Sequence, residues 1–445
     1  MIKRLQISGT GPAARMEMSF AERLNLITGD NGLGKTFLLD IVWWALTRRW
    51  PAEVNARLTA GSMARPRTGE EKKAFIAFTV MGKTKEVSYS NTFDPKLQAW
   101  VGRAGRPSIP GLVLYAQVDG SFAVWDPARN YWRRKGDIDV QDRPPAYVFS
   151  PVEIWNGLTD KDGKRLCNGL IADWAGWQKE NGESFRLLTA LLEQLSPSEE
   201  EKICPGALTR ISLDDSRDIP TLAMPYGQAV PILNASSGIR RIAALAYLLV
   251  WSWQEHRRAS ELLADATTPR IVFLIDEVEA HLHPKWQRRI VGSLLRVVEA
   301  LASDATVQLV ISTHSPLIMS AAEPVFRMDR DAWFDLDFYP QNSPGQQVEI
   351  RSRPFLKQGD VSNWLTSQAF DLKYARSAEA EALLNEAAEA LSDETFDAVR
   401  AEKLDTRLRG LLSDVDPFWI RWRFVAERKG WIKTPDAEAN GALDR

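Results

Sequence analysis

The run Gly29-Asp30-Asn31-Gly32-Leu33-Gly34-Lys35-Thr36 constrains this chain more than any other stretch. It fits the spacing G-x-x-x-x-G-K-[ST], between an apolar run at 18–28 that reads as a strand and a run at 36–48 that reads as a helix. The glycines let the backbone wrap so that its N–H groups point inward. The helix N-terminus adds partial positive charge, so such a loop cradles phosphate oxygens. Lys35 is expected to reach the β- and γ-phosphates of a nucleotide, and the Thr36 hydroxyl to ligate Mg²⁺. Gly29, Asn31, Gly32, Gly34 and Phe37 complete the expected nucleotide contacts.

A second run supplies what phosphate chemistry needs next. The apolar stretch 271–275 ends in Asp276-Glu277, which places two carboxylates at the C-terminal end of a buried strand, where ligands bind in parallel sheets. Asp276 is expected to hold Mg²⁺, and Glu277 to orient and deprotonate an attacking water. A second apolar run, 307–311, follows a helix expected at 285–302. Strand, helix, strand without alternation marks a parallel sheet covered on both faces. The fold class expected is therefore α/β, with a mixed or parallel core sheet.

The rest of the chain arranges itself around these runs. Residues 2–8 read as a strand before a Gly-Thr-Gly-Pro turn, and 73–150 as an antiparallel β layer containing strands at 74–80, 112–118 and 121–125. Residues 151–200 and 239–264 read as helical, as does most of the chain from 361 onward. Four segments follow: 1–150 with the phosphate loop and β layer, 151–264 as a helical lobe, 265–355 as the second part of the core, and 356–445 as a helical C-terminal region.

Composition adds limits rather than identity. The 445 residues exceed one ordinary domain, and 44% apolar content is enough for a core. A net charge of −2 advertises no global attraction to nucleic acid, although 56 Lys and Arg leave room for a local basic face. Cys167 and Cys204 share no metal-like spacing and read as reduced thiols of a cytoplasmic protein. The longest apolar run, 242–253, falls well short of the roughly 20 residues of a spanning helix, and no signal peptide is expected.

Three further runs carry a resemblance. Asn234-Ala235-Ser236-Ser237-Gly238-Ile239-Arg240-Arg241 precedes a long apolar helix; Glu277-Val278-Glu279-Ala280-His281-Leu282-His283-Pro284 follows the acidic strand; Ser312-Thr313-His314-Ser315-Pro316 ends the next. In this order they resemble the signature, D-loop and switch of ABC-type ATPases. They are closest to the RecF, SMC and OLD branch, with its AAA-family relatives in Septu-like anti-phage systems. The resemblance implies an ABC head whose Ser236, Ser237 and Gly238 face the γ-phosphate of ATP bound by a second copy. It also implies that His314 contacts that phosphate. His281 and His283 as a metal pair would need a third ligand that the sequence does not offer.

The chain departs from the family in places. The glutamine expected near the junction at 147–153 is missing; Gln117 and Gln141 are the nearest candidates. Asp335-Leu336-Asp337 and Asp414-Val415-Asp416 read as solvated turn acids, so no Toprim nuclease domain is expected. The aromatic and arginine run 416–424 reads as nucleic-acid binding or, more simply, as an amphipathic helix docked on its own domain or on a partner. The stretch 359–384 resembles tails of stand-alone defence ATPases. The function implied is an ATP-hydrolysing homodimer, or a higher oligomer, that controls a separate nuclease or effector and has DNA as a further partner. The alternatives are a RecF-like DNA-repair clamp and an ATP-held scaffold with little turnover.

Overall fold

The computed structural model describes residues 1–431 apart from 83, 104–105, 137, 142–144, 302–304, 340–346 and 371. Two compact units divide the chain, Met1–Trp364 and Leu365–Arg445.

The first unit is built on two sheets with a helix between them. The five-stranded antiparallel sheet contains β1 (Ile2–Ser8), β2 (Arg15–Ser19), β4 (Phe75–Met81), β5 (Glu86–Asp94) and β6 (Ala99–Val101), in the order β2-β1-β4-β5-β6. The eight-stranded sheet has the order β11-β8-β7-β17-β18-β3-β19-β20. Its members are β3 (Leu24–Gly29), β7 (Leu112–Ala116), β8 (Phe122–Trp125), β11 (Ala146–Phe149), β17 (Arg270–Ile275), β18 (Thr306–Ser312), β19 (Asp331–Tyr339) and β20 (Gln347–Arg353). Its centre, β7 through β19, is parallel, while β8, β11 and β20 join antiparallel at the edges.

The two sheets differ in pattern because they differ in burial. β3 is buried along its whole length, and β17 is apolar and buried from Ile271 to Ile275, so neither alternates. β4 alternates, sending Ile76, Phe78 and Val80 inward against helix α1 (Lys35–Thr47). α1 lies between the sheets, so Leu38, Ile41, Val42, Trp43 and Trp44 all join one core with Met16, Met18 and Tyr115. Each such side chain stabilises the fold by about 1.5–3 kcal/mol of removed apolar surface.

A buried ion pair closes the core sheet at the end away from the phosphate loop. Arg23, at the entry to β3, pairs with Asp331 at the start of β19; Asp331 Oδ1 also accepts from the Leu24 N–H at 3.1 Å.

The expected strand 18–28 is two strands. β2 ends at Ser19 in the antiparallel sheet and β3 starts at Leu24 in the core sheet, because the chain crosses between sheets through 20–23. The expected antiparallel layer 73–150 is likewise divided. Its first part is β4 to β6, but β7, β8 and β11 belong to the core sheet, where β7 pairs parallel with β17. Between β8 and β11 stands a hairpin, β9 (Trp132–Lys135) and β10 (Ile138–Gln141). A short helix α2 (Pro51–Val54) follows α1.

The helical segment contains α3 (Pro151–Asn156), α4 (Leu170–Glu180), α5 (Glu183–Gln194) and the long α6 (Ser237–Leu262). It is interrupted by a hairpin, β12 (Leu158–Thr159) with β13 (Arg165–Cys167), and by a small sheet of β14 (Cys204–Pro205), β15 (Thr221–Ala223) and β16 (Ala229–Pro231). The helix expected at 285–302 is two pieces, α7 (Pro284–Gln287) and α8 (Ile290–Leu301), with Ala302 outside the described residues. α9 (Pro316–Ala322) follows β18, and α10 (Val361–Leu365) ends the unit. Among the described residues no helix is long and apolar enough to cross a membrane.

The second unit packs α11 (Ala378–Ser392), α12 (Ala398–Leu411) and α13 (Phe418–Arg428) around Leu383, Leu384, Leu408, Trp419 and Trp422. The aromatic and arginine run thus forms an amphipathic helix on its own domain. Trp419 and Trp422 are buried, and Arg421 and Arg423 are exposed. Within the 359–384 stretch, Asp371 lies outside the described residues. The turn acids need correcting. Asp335 is buried inside β19, accepting from Thr28 Oγ1 at 2.7 Å, with Arg353 beside it. Asp416 is also buried, paired with Arg376 and accepting from the Phe418 N–H at 2.9 Å.

Candidate functional site

β3 delivers Gly29 to the C-terminal edge of the core sheet, and the loop turns into α1 within five residues. Two glycines are required there by close approach. A Cβ on Gly29 would sit 2.5 Å from the Leu336 carbonyl oxygen, and one on Gly34 2.6 Å from Pro12. Both also have positive φ, 142° and 100°. Asn31 and Gly32 are exposed at the loop tip. The ring of Phe37 packs beside Gly11, in the turn between β1 and β2.

Lys35 is buried and folds back on its own loop, donating to the carbonyls of Gly29 at 2.6 Å and Asp30 at 3.0 Å. Burial lowers its pKa, against the opposing pull of Glu277, Glu279 and Asp276. Thr36 Oγ1 donates to Asp276 Oδ2 at 2.7 Å, so residues 240 apart in sequence meet directly. The other Asp276 oxygen accepts from Ser312 Oγ at 2.6 Å. Asp276 is fully buried; burial raises its pKa, while the Ser312 and Thr36 hydroxyls hold it down. A hydroxyl and a carboxylate in contact at a phosphate loop are a hard-oxygen donor set that fits Mg²⁺.

Glu277 takes a left-handed backbone, φ 44°, uncommon for a residue with a Cβ. Two contacts hold it there. Its N–H donates to Ser312 Oγ at 2.9 Å, and the Arg241 guanidinium donates to the carbonyls of Asp276 at 3.3 Å, Glu277 at 3.4 Å and Val118 at 3.0 Å. Arg241 lies near the start of α6, so the helix capped by Ser236 is tied to the end of the acidic strand.

His314 stands beside Glu277, its Nδ1 3.7 Å from a Glu277 oxygen. What holds His314 is Glu279, a residue the sequence reading passed over. Its buried carboxylate accepts from Thr313 Oγ1 at 2.8 Å and from the His314 N–H at 2.7 Å, with His314 Nδ1 at 3.1 Å. The signal was its place two residues after Glu277 in an otherwise apolar turn.

Ser236 caps α6, accepting from the Ile239 N–H at 3.4 Å; Ser236 and Ser237 are exposed. Gly238 is required by packing, since a Cβ there would meet the His281 carbonyl oxygen at 2.7 Å. Among the described residues no hydrogen bond joins 236–238 to 29–36 within one chain. His283 caps α7 through Nδ1, accepting from the Lys285 N–H at 3.3 Å.

Of the two glutamines nearest the junction at 147–153, one lies beside the acidic strand. Gln117 directly follows β7, whose last residue, Ala116, accepts from the Asp276 N–H at 2.9 Å. It is buried, with Oε1 accepting from Ser121 Oγ at 2.7 Å and Nε2 left without a partner. Gln141 instead lies on β10, bonded to Asn130. A glutamine after an apolar run was legible; that this run pairs with the acidic strand was not.

Comparison with known proteins agrees with this arrangement. Residues 24–320 match the family described as "AAA domain, putative AbiEii toxin, Type IV TA system". The chain is 22% identical to the Septu protein PtuA of Bacillus thuringiensis over 72% of this chain and 74% of that protein. It is 33% identical to the Retron Vc95 probable ATPase of Vibrio cholerae serotype O1 biovar El Tor, over 42% of this chain and 35% of that one. A Retron Ec83 probable ATPase of Escherichia coli matches at 22% identity over 46% of this chain and 33% of its own length. The chain thus spans about a third of the retron proteins. The SMC head domain from Thermotoga maritima superposes with a TM-score of 0.36 at 13% identity, over 79% of this chain and 99% of that one. The family match runs from β3 to α9 and encloses the phosphate loop, the acidic strand and His314: the chain belongs to this AAA-domain family.

Proposed function

We propose that this chain binds ATP at 29–36, hydrolyses it with Glu277 between two copies of itself, and serves as a cytosolic switch in anti-phage defence that controls a separate nuclease or effector. The observation carrying the reading is the direct contact of Thr36 with Asp276, with Glu277 and His314 set beside it. When bound, Mg²⁺ would be held by Thr36 and Asp276 and would neutralise phosphate charge. Lys35 exchanges its two loop carbonyls for β- and γ-phosphate oxygens. The Glu277 carboxylate orients water and takes its proton, and His314 approaches the γ-phosphate. Charge placed in advance around the transferred group is most of what phosphoryl transfer requires. The exposed Ser236 and Ser237, with Gly238, complete the site from the second copy. Gln117 takes the place of the family glutamine. The assignments of 1–150 and 265–355 to the core, 151–264 to the signature-bearing lobe and 356–445 to a helical accessory region belong to the same proposal. The likeness to a Septu protein and to retron ATPases supports the defence role.

The test is ATP-dependent assembly of wild type and Glu277→Gln, by light scattering with parallel phosphate release. The expected result is loss of phosphate release together with a trapped larger species. An unchanged oligomer and unchanged release in Glu277→Gln would instead favour a scaffold held by ATP.

A further inference from the structure

The phosphate loop occupies one end of α1, and the positive charge that the −2 net charge conceals gathers at the other. α1 has 13 residues, so the two ends lie about 20 Å apart. Beyond its C-terminus is a groove of about 300 Å³ lined by Arg48, Arg49, Arg103, Trp100, Trp132 and Gln141, among others. Among the described residues its lining contains no carboxylate.

Arg48 is the informative member. It caps α1 in the left-handed conformation, φ 62°. Its guanidinium lies 5.1 Å from the ring centre of Trp44, 4.6 Å from Phe78 and 4.7 Å from Tyr89, and donates to Asn91 Oδ1 at 3.0 Å. Among the described residues no carboxylate pairs with it. The rings compensate part of its desolvation, but a largely buried cation without a counter-ion is costly, and an anion arriving in the groove would relieve it. Burial lowers its pKa to about 10, so it stays protonated at neutral pH.

The surroundings extend that charge. Arg49 and Arg103 are exposed. On the β9–β10 hairpin Trp132 stands opposite Gln141, and Arg134 opposite Asp139; cross-strand partners share a face, so Arg134 lies on the face of Trp132. Arg106 pairs with Asp139 at 2.9 Å and brings a further arginine to the hairpin. Arginines strung along a groove beside the partly exposed Trp132 ring are suited to phosphates with a stackable base. The groove is too small to take a duplex.

We propose that this groove binds a single-stranded polynucleotide, with its phosphates on Arg48, Arg49 and Arg103 and a base against Trp132. The site is separate from the ATP site and rests on its own geometry. The test is fluorescence anisotropy of a labelled oligodeoxythymidylate with the full chain, between about 50 and 200 mM salt. Three phosphate contacts give a slope of log K against log salt of about −2. Arg49→Ala with Arg103→Ala should weaken binding tenfold or more at the low-salt end and bring the slope to about −0.7. Lysines at both positions should restore most of it. Binding of a fluorescent ATP analogue, unchanged in the double variant, shows that the fold is intact; Lys35→Ala should lose the analogue and keep the oligonucleotide. Absence of oligonucleotide binding by wild type at low salt, or equal binding by the double alanine variant, overturns the proposal. So does a matching duplex that binds as tightly, or a free nucleotide that displaces the strand stoichiometrically.

Discussion

Replacing Glu279 isolates the part of the site that holds the switch loop. Its carboxylate accepts from Thr313 Oγ1 and the His314 N–H, with the His314 ring close by, and it is 5% exposed. Hydrogen bonds to a charged acceptor contribute about 1.5–3 kcal/mol each. Thr313 is fully buried, so water cannot replace its lost partner, whereas the His314 N–H is only part-buried and water can serve it. Glu279→Ala should therefore lower unfolding free energy by about 3 kcal/mol. Glu279→Gln keeps the shape and one acceptor and should cost about 1 kcal/mol. Turnover separates positioning from stability. Loss of one charged contact at His314 should reduce the phosphate-release rate about 10- to 100-fold in Glu279→Gln. ATP affinity should hold, because the phosphate loop is untouched. Urea unfolding and single-turnover phosphate release read the two effects. Glu279→Ala with wild-type unfolding energy and wild-type turnover would refute the reasoning.

Three other outcomes are expected. Asp40, on α1, has its pKa raised to about 7 by burial, although Tyr115 donates to it. The folded state therefore keeps a proton that the unfolded state loses, and stability falls as pH rises from about 4 to 7, by about 4 kcal/mol in total. Asp40→Asn should flatten that fall and unfold at higher urea than wild type at pH 8; an unchanged pH dependence would contradict it. Arg23→Ala strands the Asp331 carboxylate, which keeps only backbone donors, and should cost about 3 kcal/mol in thermal or urea unfolding. Trp422→Ala removes a fully buried side chain from the C-terminal unit at a cost of about 3–5 kcal/mol. Limited proteolysis should then cut beyond residue 365 and leave ATP binding by Met1–Trp364 intact.

The sequence showed the parts of the site that local chemistry dictates. The phosphate loop, Asp276 and Glu277 follow from glycine conformations and from an apolar run that ends in acid, and both features are written within a dozen residues. What it hid was pairing. Nothing local says that β2 and β3 belong to different sheets, or that the run at 112–116 lies next to 271–275. For that reason nothing local prefers Gln117 over Gln141, since the place of Gln117 comes from a neighbouring strand distant in the chain. Glu279 and Arg241 were missed differently, as their work is done on the backbone of other residues. Asp335 and Asp416 were misread because polar residues are expected outside, and only the fold reveals the Thr28 hydroxyl and the Arg376 guanidinium that satisfy them inside.

The place of β3 in the core sheet has a consequence for synthesis. Its neighbours are β18 and β19, so Leu24 pairs with Leu309 on one side and Asp331 on the other. A ribosome makes β3 first and its partners nearly 300 residues later; the Asn25 amide waits 284 residues for the Leu309 carbonyl. Contacts of such separation fold slowly and leave apolar strand edges open in the interval. The phosphate loop therefore cannot acquire its shape in a short nascent chain. The native shape of the loop depends on strands made late, and chains arrested before β18 should expose an open edge of β3, which protease sensitivity of stalled chains would show.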